Sequence, residues 1–300
     1  MLYIYRRQAS DSARDLADAL QINARRLQNL GSAHFGQGIR AGDVVICWGE
    51  ALPARQGIRI LNGAPLRSKF EDAQLLRRAG VPTVEVSATR PQAVQQQAPP
   101  DPFPAACAHL RETINDFRGA LWTRGPVFRD SLAEMIREFG TMQQVNATPA
   151  PIAPPPRPAE NWLARRNDHM GGHDLLTPPQ NPDFWSKKEN LTEEYRIHSF
   201  NNKSIRAGVK APRDGARPHA WIRSYDGGWA IRYAGFESRR AMRELAHRAV
   251  NALGLQFGAV DLGRKADGGL IVLEVNRCPG IEGGTTESYA RAIERWMNGE

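Results

Sequence analysis

Cysteine is scarce in this sequence of 300 residues: only Cys47, Cys107 and Cys278 are present, far apart and in no CxxC pair. Disulfide frameworks and cysteine-rich zinc sites need more cysteines or more closely spaced ones, so the sequence excludes both classes of protein. Free thiols are typical of a reducing compartment. We therefore expect a cytoplasmic protein.

Long hydrophobic runs are also missing. No apolar run reaches the roughly 20 residues that a membrane helix needs. The opening, MLYIYRR, is too short for the core of a signal peptide and has its charges on the wrong side. We expect no membrane partner, and the composition leaves the oligomeric state open.

A third absence is a run of basic residues. Lys and Arg number 40 against 32 Asp and Glu, a net charge of +8, yet the basic residues are scattered as doublets. Nucleic-acid binding usually requires a clustered basic patch. The scattered basic residues are therefore only weak evidence for a nucleic-acid partner, which we do not expect. They fit an enzyme that binds several phosphates equally well.

The pattern of apolar residues divides the chain into three predicted segments. Residues 1–88 alternate between strand and helix patterns, which favours an α/β fold with a parallel sheet. Residues 89–160 hold two proline-rich tracts around two predicted helices, near 104–117 and 130–142, and are typical of an insertion or connector. Residues 161–300 return to a regular pattern and predict the core of the protein.

Local signals place the elements within these segments. Ser68 and Glu71 have the spacing of a capping box, so a helix is predicted over 68–80, and the composition of residues 147–158 predicts a semi-rigid proline spacer. Further strands are predicted at LYIY, DVVICW, GIRILNG, VPTVEVS, WLARR, EEYRIHSF, KSIRAGVK and HAWIRSY. Further helices are predicted over 10–31 and at ESRRAMRELAHRAVNALG and TTESYARAIERWM, and a glycine loop at NDHMGGHDLL.

A hairpin near the end of the chain brings two carboxylates together. Asp267 and Gly268 tolerate the positive φ angles of a two-residue type I′ turn. Counting outwards from that turn places Asp261 opposite Glu274, and Asn276 shares their face because side chains alternate along a strand. Opposed carboxylates repel each other.

This repulsion must be offset, or the face must be wet enough to solvate both carboxylates. The strands around the pair are strongly apolar, as in a buried sheet, so the pair should share a proton or bind a cation. Two carboxylates and the amide oxygen of Asn276 form a set of oxygen ligands that suits Mg²⁺ or Mn²⁺ rather than Zn²⁺. The sequence therefore predicts a metal site at Asp261, Glu274 and Asn276.

Several stretches resemble ATP-grasp enzymes. GLQFGAVDL and GGLIVLEVNRCPGIEG look like the carboxy-terminal signature of that superfamily, while EEYRIHSFNNKSIRAGVK and HAWIRSYDGGWA are similar to central strands of RimK-type glutamate ligases and related carboxylate–amine ligases. The likeness covers about residues 62–88 and 161–290. It implies an ATP-grasp fold: an N-terminal α/β pre-ATP-grasp domain followed by two lobes that close on ATP.

The resemblance also implies a reaction and its residues. A substrate carboxylate attacks the γ-phosphate of ATP, and an amine then displaces phosphate, with Glu274 bridging two metal ions, Asp261 on one and Asn276 on the other. Lys210 and Arg223 would bind phosphate, and Arg196 and Arg206 would hold the acceptor or the acyl phosphate, or be solvated strand residues. The remaining implied ATP contacts are Lys69, Arg165 or Arg166, the backbone at Gly171 and Gly172, and, at the hinge, Lys187, Lys188 and Glu194.

The expected activity is thus an ATP-dependent carboxylate–amine ligase that forms an amide or peptide bond and releases ADP and phosphate. Its expected partners are ATP, Mg²⁺ or Mn²⁺, and a small-molecule or peptide carboxylate and amine. Two alternatives stay open: a kinase on the same fold, and a basic binding protein that has lost activity.

Overall fold

The computed structural model describes residues 1–6, 11–20, 25–27, 39–91, 161–167 and 173–300. Four sequence features lie outside the described residues: the helices predicted near 104–117 and 130–142, the proline tract at 147–158, and the glycine loop with Gly171 and Gly172. Met1–Arg90 and Asn161–Glu300 together form one compact unit, and Pro91–Glu160 form another. The three-part division at residues 88 and 160 stays a prediction.

The described residues form twelve strands and five helices. The strands are β1 Leu2–Tyr5, β2 Arg25–Leu27, β3 Val44–Cys47, β4 Arg59–Leu61, β5 Val86–Ser87, β6 Trp162–Arg165, β7 Phe184–Lys187, β8 Leu191–Phe200, β9 Lys203–Pro212, β10 Trp229–Arg232, β11 Phe257–Lys265 and β12 Leu270–Asn276. The helices are α1 Asp11–Ala19, α2 Lys69–Arg78, α3 His173–Leu176, α4 Arg240–Ala252 and α5 Gly284–Met297.

A parallel four-stranded sheet occupies the N-terminal region, in the order β2-β1-β3-β4. Every residue of β1 and β3 is buried, as expected for strands covered on both faces. Leu16 of α1 and Tyr289 and Ile293 of α5 pack into the same apolar cluster as Ile4 and Ile46. The predicted α/β arrangement with a parallel sheet is therefore present.

The helix predicted over 10–31 is wrong in its second half. The structure ends α1 at Ala19, and Arg25–Leu27 form β2, which pairs with the outer edge of β1. Apolar residues continue at near-helical spacing beyond Leu20, so the local pattern cannot reveal this break. Tertiary structure determines the conformation of residues 25–27, because the backbone groups at the outer edge of β1 gain hydrogen-bond partners only if this segment is extended.

The strand predicted at VPTVEVS belongs to another sheet. Val86–Ser87 pair with β7 in an antiparallel sheet of order β5-β7-β6 rather than with the N-terminal strands. The preceding residues join this small sheet to β12, since the Thr83 hydroxyl donates to the Val272 carbonyl (2.8 Å) and the Val272 amide donates to Pro82 (2.8 Å). The segment therefore connects the two sheets that flank the candidate site.

An antiparallel five-stranded sheet, in the order β10-β9-β8-β11-β12, is the largest in the described chain. One of its faces is apolar and packs on α4; the cluster contains Tyr195, Ile197, Val260, Leu262, Val272, Val275, Met242, Leu245, Ala246 and Ala249. The other face carries the charged residues described below. Alternation of side chains along each strand produces this division.

The strand predicted at HAWIRSY is also wrong. Residues 219–225 are neither strand nor helix, and the strand that pairs with β9 is β10, Trp229–Arg232. The His219 ring nitrogen accepts from the Ile222 amide (3.1 Å), so this stretch turns back on itself. Its alternating bulky residues resemble a strand, but side chain–backbone bonds of this kind compete with a ladder.

The predicted turn of the β11–β12 hairpin is one residue too short, although the predicted pairing of Asp261 with Glu274 is correct. The Lys265 amide donates to Gly269 (2.8 Å) and the Gly268 amide to Lys265 (2.9 Å), and Gly268 has a φ of 85°. This is a three-residue loop ending in a left-handed glycine. A β-bulge between Asp261 and Leu262 restores the register that the longer loop would have shifted.

None of the helices among the described residues is both long and apolar enough to cross a membrane. Localisation in the cytoplasm stays a prediction.

The capping box before α2 gives a test of local stability. The Ser68 hydroxyl accepts from the Glu71 amide (3.2 Å), while the Glu71 carboxylate accepts from the Ser68 amide (2.8 Å), as the sequence predicted. Ser68→Ala should lower the free energy of unfolding by about 1 kcal/mol, because the Glu71 amide loses the hydroxyl that accepts its hydrogen bond. Urea unfolding measures this change. Ser68→Asn, which keeps a capping oxygen, is the control and should cost much less; equal losses in both variants would contradict a capping role.

Candidate active site

The polar face of the five-stranded sheet gathers the charged residues. Strand alternation puts Glu194, Arg196 and His198 of β8 on this face, and the register places Arg196 beside Asp261 of β11. The neighbouring strands add Arg206 and Lys210 from β9 and Glu274 and Asn276 from β12. The sheet thus collects acids and bases that are distant in sequence.

Asp261 lies at the centre of this face and is buried. Its two carboxylate oxygens accept from Arg196 Nε (2.6 Å) and Nη2 (2.8 Å), and Lys210 Nζ lies 3.7 Å from Oδ2. Burial alone would raise the pKa of Asp261, but Arg196 and Lys210 hold it below its usual value. The carboxylate is therefore charged at neutral pH.

Lys210 joins a second carboxylate to the cluster. Its ammonium group donates to Glu194 Oε2 at 2.9 Å, and both side chains are largely buried. Burial acts to lower the pKa of Lys210, but Asp261 and Glu194 raise it above its usual value. Lys210 is a charged bridge between β8 and β11.

Glu274 has a cation of its own. Lys69 Nζ donates to Glu274 Oε2 at 2.8 Å, and Asn276 Nδ2 donates to Oε1 at 3.1 Å. Lys69 is the first residue of α2, so the cap at Ser68 fixes where its side chain starts. A lysine is unfavourable beside the positive end of a helix dipole, and the Glu274 carboxylate offsets that cost.

The repulsion between Asp261 and Glu274 is therefore offset by side chains of the protein. The sequence predicted a shared proton or a bound cation; the structure contains three protein cations instead, Arg196, Lys210 and Lys69. The described residues contain no group of three His, Cys, Asp or Glu side chains arranged to hold a metal. Any ion at Asp261, Glu274 and Asn276 would need other oxygen ligands, such as phosphate.

A cleft lies between α2, the small sheet and β12. It is lined by Lys69, Asp72, Ala73, Leu76, Thr83, Val84, Val86, Arg165, Phe184, Ser186, Leu273, Glu274 and Val275. Charged groups form one part of the lining and apolar side chains the rest. Arg165 is held there by Asp174, whose Oδ2 accepts from Arg165 Nε at 2.7 Å. Lys69, Arg165 and Glu274, predicted from sequence to act at one site, thus line one cleft.

The other predicted residues are more dispersed. Arg166 is exposed beside Arg165, and Lys187 forms an exposed ion pair with Glu85 at 3.5 Å. Lys188 Nζ lies 4.3 Å from the centre of the Trp221 ring. Arg223 Nη2 donates to the carbonyls of residues 191 (3.1 Å) and 192 (2.9 Å) at the start of β8.

Arg206 lies at the N-terminus of α5. Its guanidinium is 4.5 Å from the centre of the Tyr233 ring. A Cβ atom built at Gly284 would lie 2.9 Å from Arg206 Nη1, so the guanidinium lies close against the start of the helix. Arg206 therefore faces helix amides that favour an anion.

Sequence reasoning missed a buried histidine, His198, which lies opposite Arg206 in the β8–β9 ladder. His198 is fully buried, and its ring nitrogens lie 3.2 Å from the Tyr289 hydroxyl and 3.0 Å from the Tyr233 hydroxyl. Burial, aided by Arg196, lowers the pKa of His198 to about 3, so the ring is neutral. The alternation of side chains along β8 could have placed His198 on the same face as Glu194 and Arg196. Its tyrosine partners could not be predicted, because they are distant in the sequence.

Asp261 should be important for stability as well as for chemistry. Asp261→Asn removes the charge that Arg196 and Lys210 face, and breaking such a buried pair typically costs about 3 to 5 kcal/mol. Because the folded-state pKa of Asp261 is lowered, its contribution is present at neutral pH and is lost as the pH falls below about 3.9 and through the folded value. Urea unfolding at neutral and acidic pH would measure both effects.

The matched control is Arg240→Gln, which breaks the exposed pair of Arg240 with Glu244 (2.6 Å). Exposed pairs contribute little, so this variant should unfold like the parent protein. A loss no larger in Asp261→Asn than in this control would contradict the central place of Asp261.

Comparison with known proteins identifies the fold. No family model and no curated protein matches the sequence. The ATP-grasp ligase PsnB, solved with a minimal precursor, superposes with a TM-score of 0.54 at 12% identity, over 98% of each chain. The D-cycloserine synthetase DcsG gives 0.51 at 16% identity over 99% of each chain, and the D-alanine–D-alanine ligase of Bacillus anthracis gives 0.52 at 10% identity over 99% of this chain and 98% of that one. The chain therefore adopts the ATP-grasp fold, as its sequence predicted.

Proposed function

We propose that the protein is an ATP-dependent ligase that joins a carboxylate to an amine through an acyl phosphate and releases ADP and phosphate. The observation that carries this proposal is the concentration of charge on one sheet face and in the adjoining cleft. Cations from β8, β9 and α2 surround the opposed carboxylates Asp261 and Glu274. Phosphoryl transfer depends mainly on positioning and on neutralising charge, and such a cluster supplies both.

The acidic residues fit Mg²⁺ or Mn²⁺ in the presence of a nucleotide. Mg²⁺ in nucleotide sites is usually held by one or two carboxylates together with substrate phosphates. We propose that two metal ions bind, and that Asp261, Glu274 and Asn276 would hold them. When bound, the ions would neutralise charge on the β- and γ-phosphates. Arg196 and Lys69, which now neutralise the two carboxylates, would then be available to face phosphate oxygens.

The cations have different proposed roles. Lys210, charged and buried beside Asp261, would neutralise the transferring phosphate. Arg206, at the N-terminus of α5, would hold the acyl phosphate or the acceptor. Arg223 stays a proposed phosphate ligand, although Nη2 is engaged with backbone carbonyls; its buried Nε has no hydrogen-bond partner among the described residues.

The cleft would take the rest of the nucleotide. Its apolar lining, which includes Val84, Val86, Phe184 and Leu273, suits a flat base. Arg165 and Lys69 at the charged end would reach the phosphates, with Arg166 and the backbone at residues 171–172 as further proposed contacts. Contacts to the base and ribose by the backbone at Lys187 and Lys188, and by Glu194, also stay proposals.

The fold neighbours support this proposal without establishing it. PsnB has been solved with Mg and ADP bound, at a TM-score of 0.54 and 12% identity. PsnB is described as an ATP-grasp ligase, and another neighbour is a D-alanine–D-alanine ligase. For the present chain we propose a small-molecule or peptide carboxylate and an amine as substrates.

Chemical trapping tests the reaction. The protein is incubated with Mg²⁺–ATP, hydroxylamine and pools of amino acids, polyamines and acidic peptides. An acyl phosphate should be intercepted as a hydroxamate, detected by mass spectrometry, with ADP and phosphate formed together. Lys210→Met serves as the inactive control, because it removes the buried charge facing the γ-phosphate.

The products separate the alternatives. AMP with pyrophosphate would indicate adenylation and contradict the proposed mechanism. A stable phosphorylated product that does not react with hydroxylamine would identify a kinase. If the protein neither binds ATP nor converts it with any pool, the remaining alternative is a basic binding protein that has lost activity.

Metal-dependent nucleotide binding gives a further prediction. Glu274→Gln keeps the size of the side chain and removes one of two repelling carboxylates, while the residue is only partly buried. The change also leaves Lys69 without its carboxylate partner, so the melting temperature without ligand should fall modestly, and the rise caused by Mg²⁺–ATP should fall sharply. Differential scanning fluorimetry measures both. Glu244→Gln, at an exposed position of α4, is the control, and an equal ligand-induced rise in both variants would overturn the metal assignment.

A further inference from the structure

The connection between β9 and β10, residues 213–228, is a long loop without helix or strand. Connections longer than about 12–15 residues are uncommon in compact domains and usually functional. Its ends are adjacent, because Pro212 pairs with Trp229 across the two strands. We name it the 213–228 loop.

The loop is ordered by its own hydrogen bonds. The Arg213 amide donates to Gly228 (2.9 Å), and the His219 amide donates to Gly227 (2.7 Å). Trp229 Nε1 donates to the His219 carbonyl at 3.0 Å. A surface held in one conformation loses little entropy when it binds a partner.

This ordered loop exposes two aromatic side chains. Trp221 is 38% and Tyr225 66% exposed. Lys188 covers one face of Trp221 at 4.3 Å, and Arg213 covers one face of Tyr225 at 4.0 Å. Trp, Tyr and Arg are the residues most enriched at the energetic centres of protein interfaces.

The charge of the loop is positive. Its basic residues are Arg213, Arg217 and Arg223, against Asp214 and Asp226. Asp214 is neutralised by Arg232 of β10 at 2.9 Å. Lys188 adds a further cation beside Trp221. The complementary partner is therefore acidic and carries apolar side chains.

The loop also borders the candidate active site. Arg223 fastens it to the carbonyls of Leu191 and Thr192, and the same strand carries Glu194 and Arg196 into the site. A chain bound to the loop would lie near the carboxylate-activating centre.

We propose that the 213–228 loop, with Lys188, docks an acidic peptide segment and so selects a peptide as the carboxylate substrate. The inference rests on the proposed ligase function for the fate of that carboxylate. Guanidinium groups bind carboxylates through paired hydrogen bonds, and Trp221 and Tyr225 provide the apolar contact.

A single-stranded nucleic acid is the competing occupant. Its bases stack on open aromatic faces along a continuous basic track. Here one face of each exposed ring is covered by a cation, and the arginines are dispersed along the loop. These features favour a peptide.

Fluorescence anisotropy without ATP tests the docking surface. The probes are a fluorescein-labelled peptide of alternating Glu and Leu, the same peptide with Gln in place of Glu, and a labelled single-stranded oligothymidine. The full chain should bind the Glu peptide most tightly. The double variant Trp221→Ala/Tyr225→Ala should weaken that binding at least about tenfold, the scale expected when interface aromatics are truncated. Arg213→Gln/Arg217→Gln should weaken it and abolish the preference for Glu over Gln.

The matched controls are Leu66→Ala, an exposed apolar residue outside the loop, and Arg240→Gln, an exposed arginine on α4. Both should bind the Glu peptide like the parent chain. An unchanged melting temperature without ligand would show that the loop variants are folded. Equal binding by loop variants and controls, or preference for oligothymidine, would overturn the proposal. Because no ATP is present, this outcome is independent of whether a hydroxamate forms in the ligase assay.

Discussion

Two like charges on neighbouring strands are the constraint on which this structure depends. Asp261 and Glu274 lie opposite each other in a sheet whose other face is a dry apolar core. Arg196, Lys210 and Lys69 neutralise them, and these cations come from β8, β9 and α2. The charge balance therefore holds together three elements from distant parts of the sequence. Displacing any one of these elements would leave a partly buried charge without its counterpart, which is costly.

The same balance makes the proposed nucleotide site adaptable. Each carboxylate has a protein cation as partner, and each cation can instead face a phosphate oxygen. Binding of Mg²⁺–ATP, as we propose it, would exchange these partners while keeping the total charge of the site close to neutral. The donors are already in place, which is the condition under which electrostatic stabilisation of a transition state needs little reorganisation. The rigid support for this exchange is the apolar face, where Val260 and Val275 pack on α4.

The sequence by itself determined the features that depend on neighbouring residues. The cap formed by Ser68 and Glu71 is local, because a helix start satisfies its amides within one turn. The apolar runs of β1, β3 and β11 predicted buried strands, and the alternation of strand and helix patterns over residues 1–88 predicted the α/β fold. The opposition of Asp261 and Glu274 followed from the hairpin signal, although the actual turn is longer and a bulge compensates for it. The shorter predicted turn and the longer actual turn with its bulge both place Val260 and Val275 in the core.

Only the tertiary structure decided which groups meet across the sheet. The guanidinium of Arg196 on Asp261, the contact of Lys69 with Glu274 and the burial of His198 each join residues far apart in the chain. The strand at Arg25–Leu27 could not be predicted for a related reason, since it forms by pairing with β1, which is distant in the sequence. Local periodicity reports which face of an element is apolar. The partner of a charge or of an unpaired strand edge depends on packing between distant segments, which periodicity does not encode.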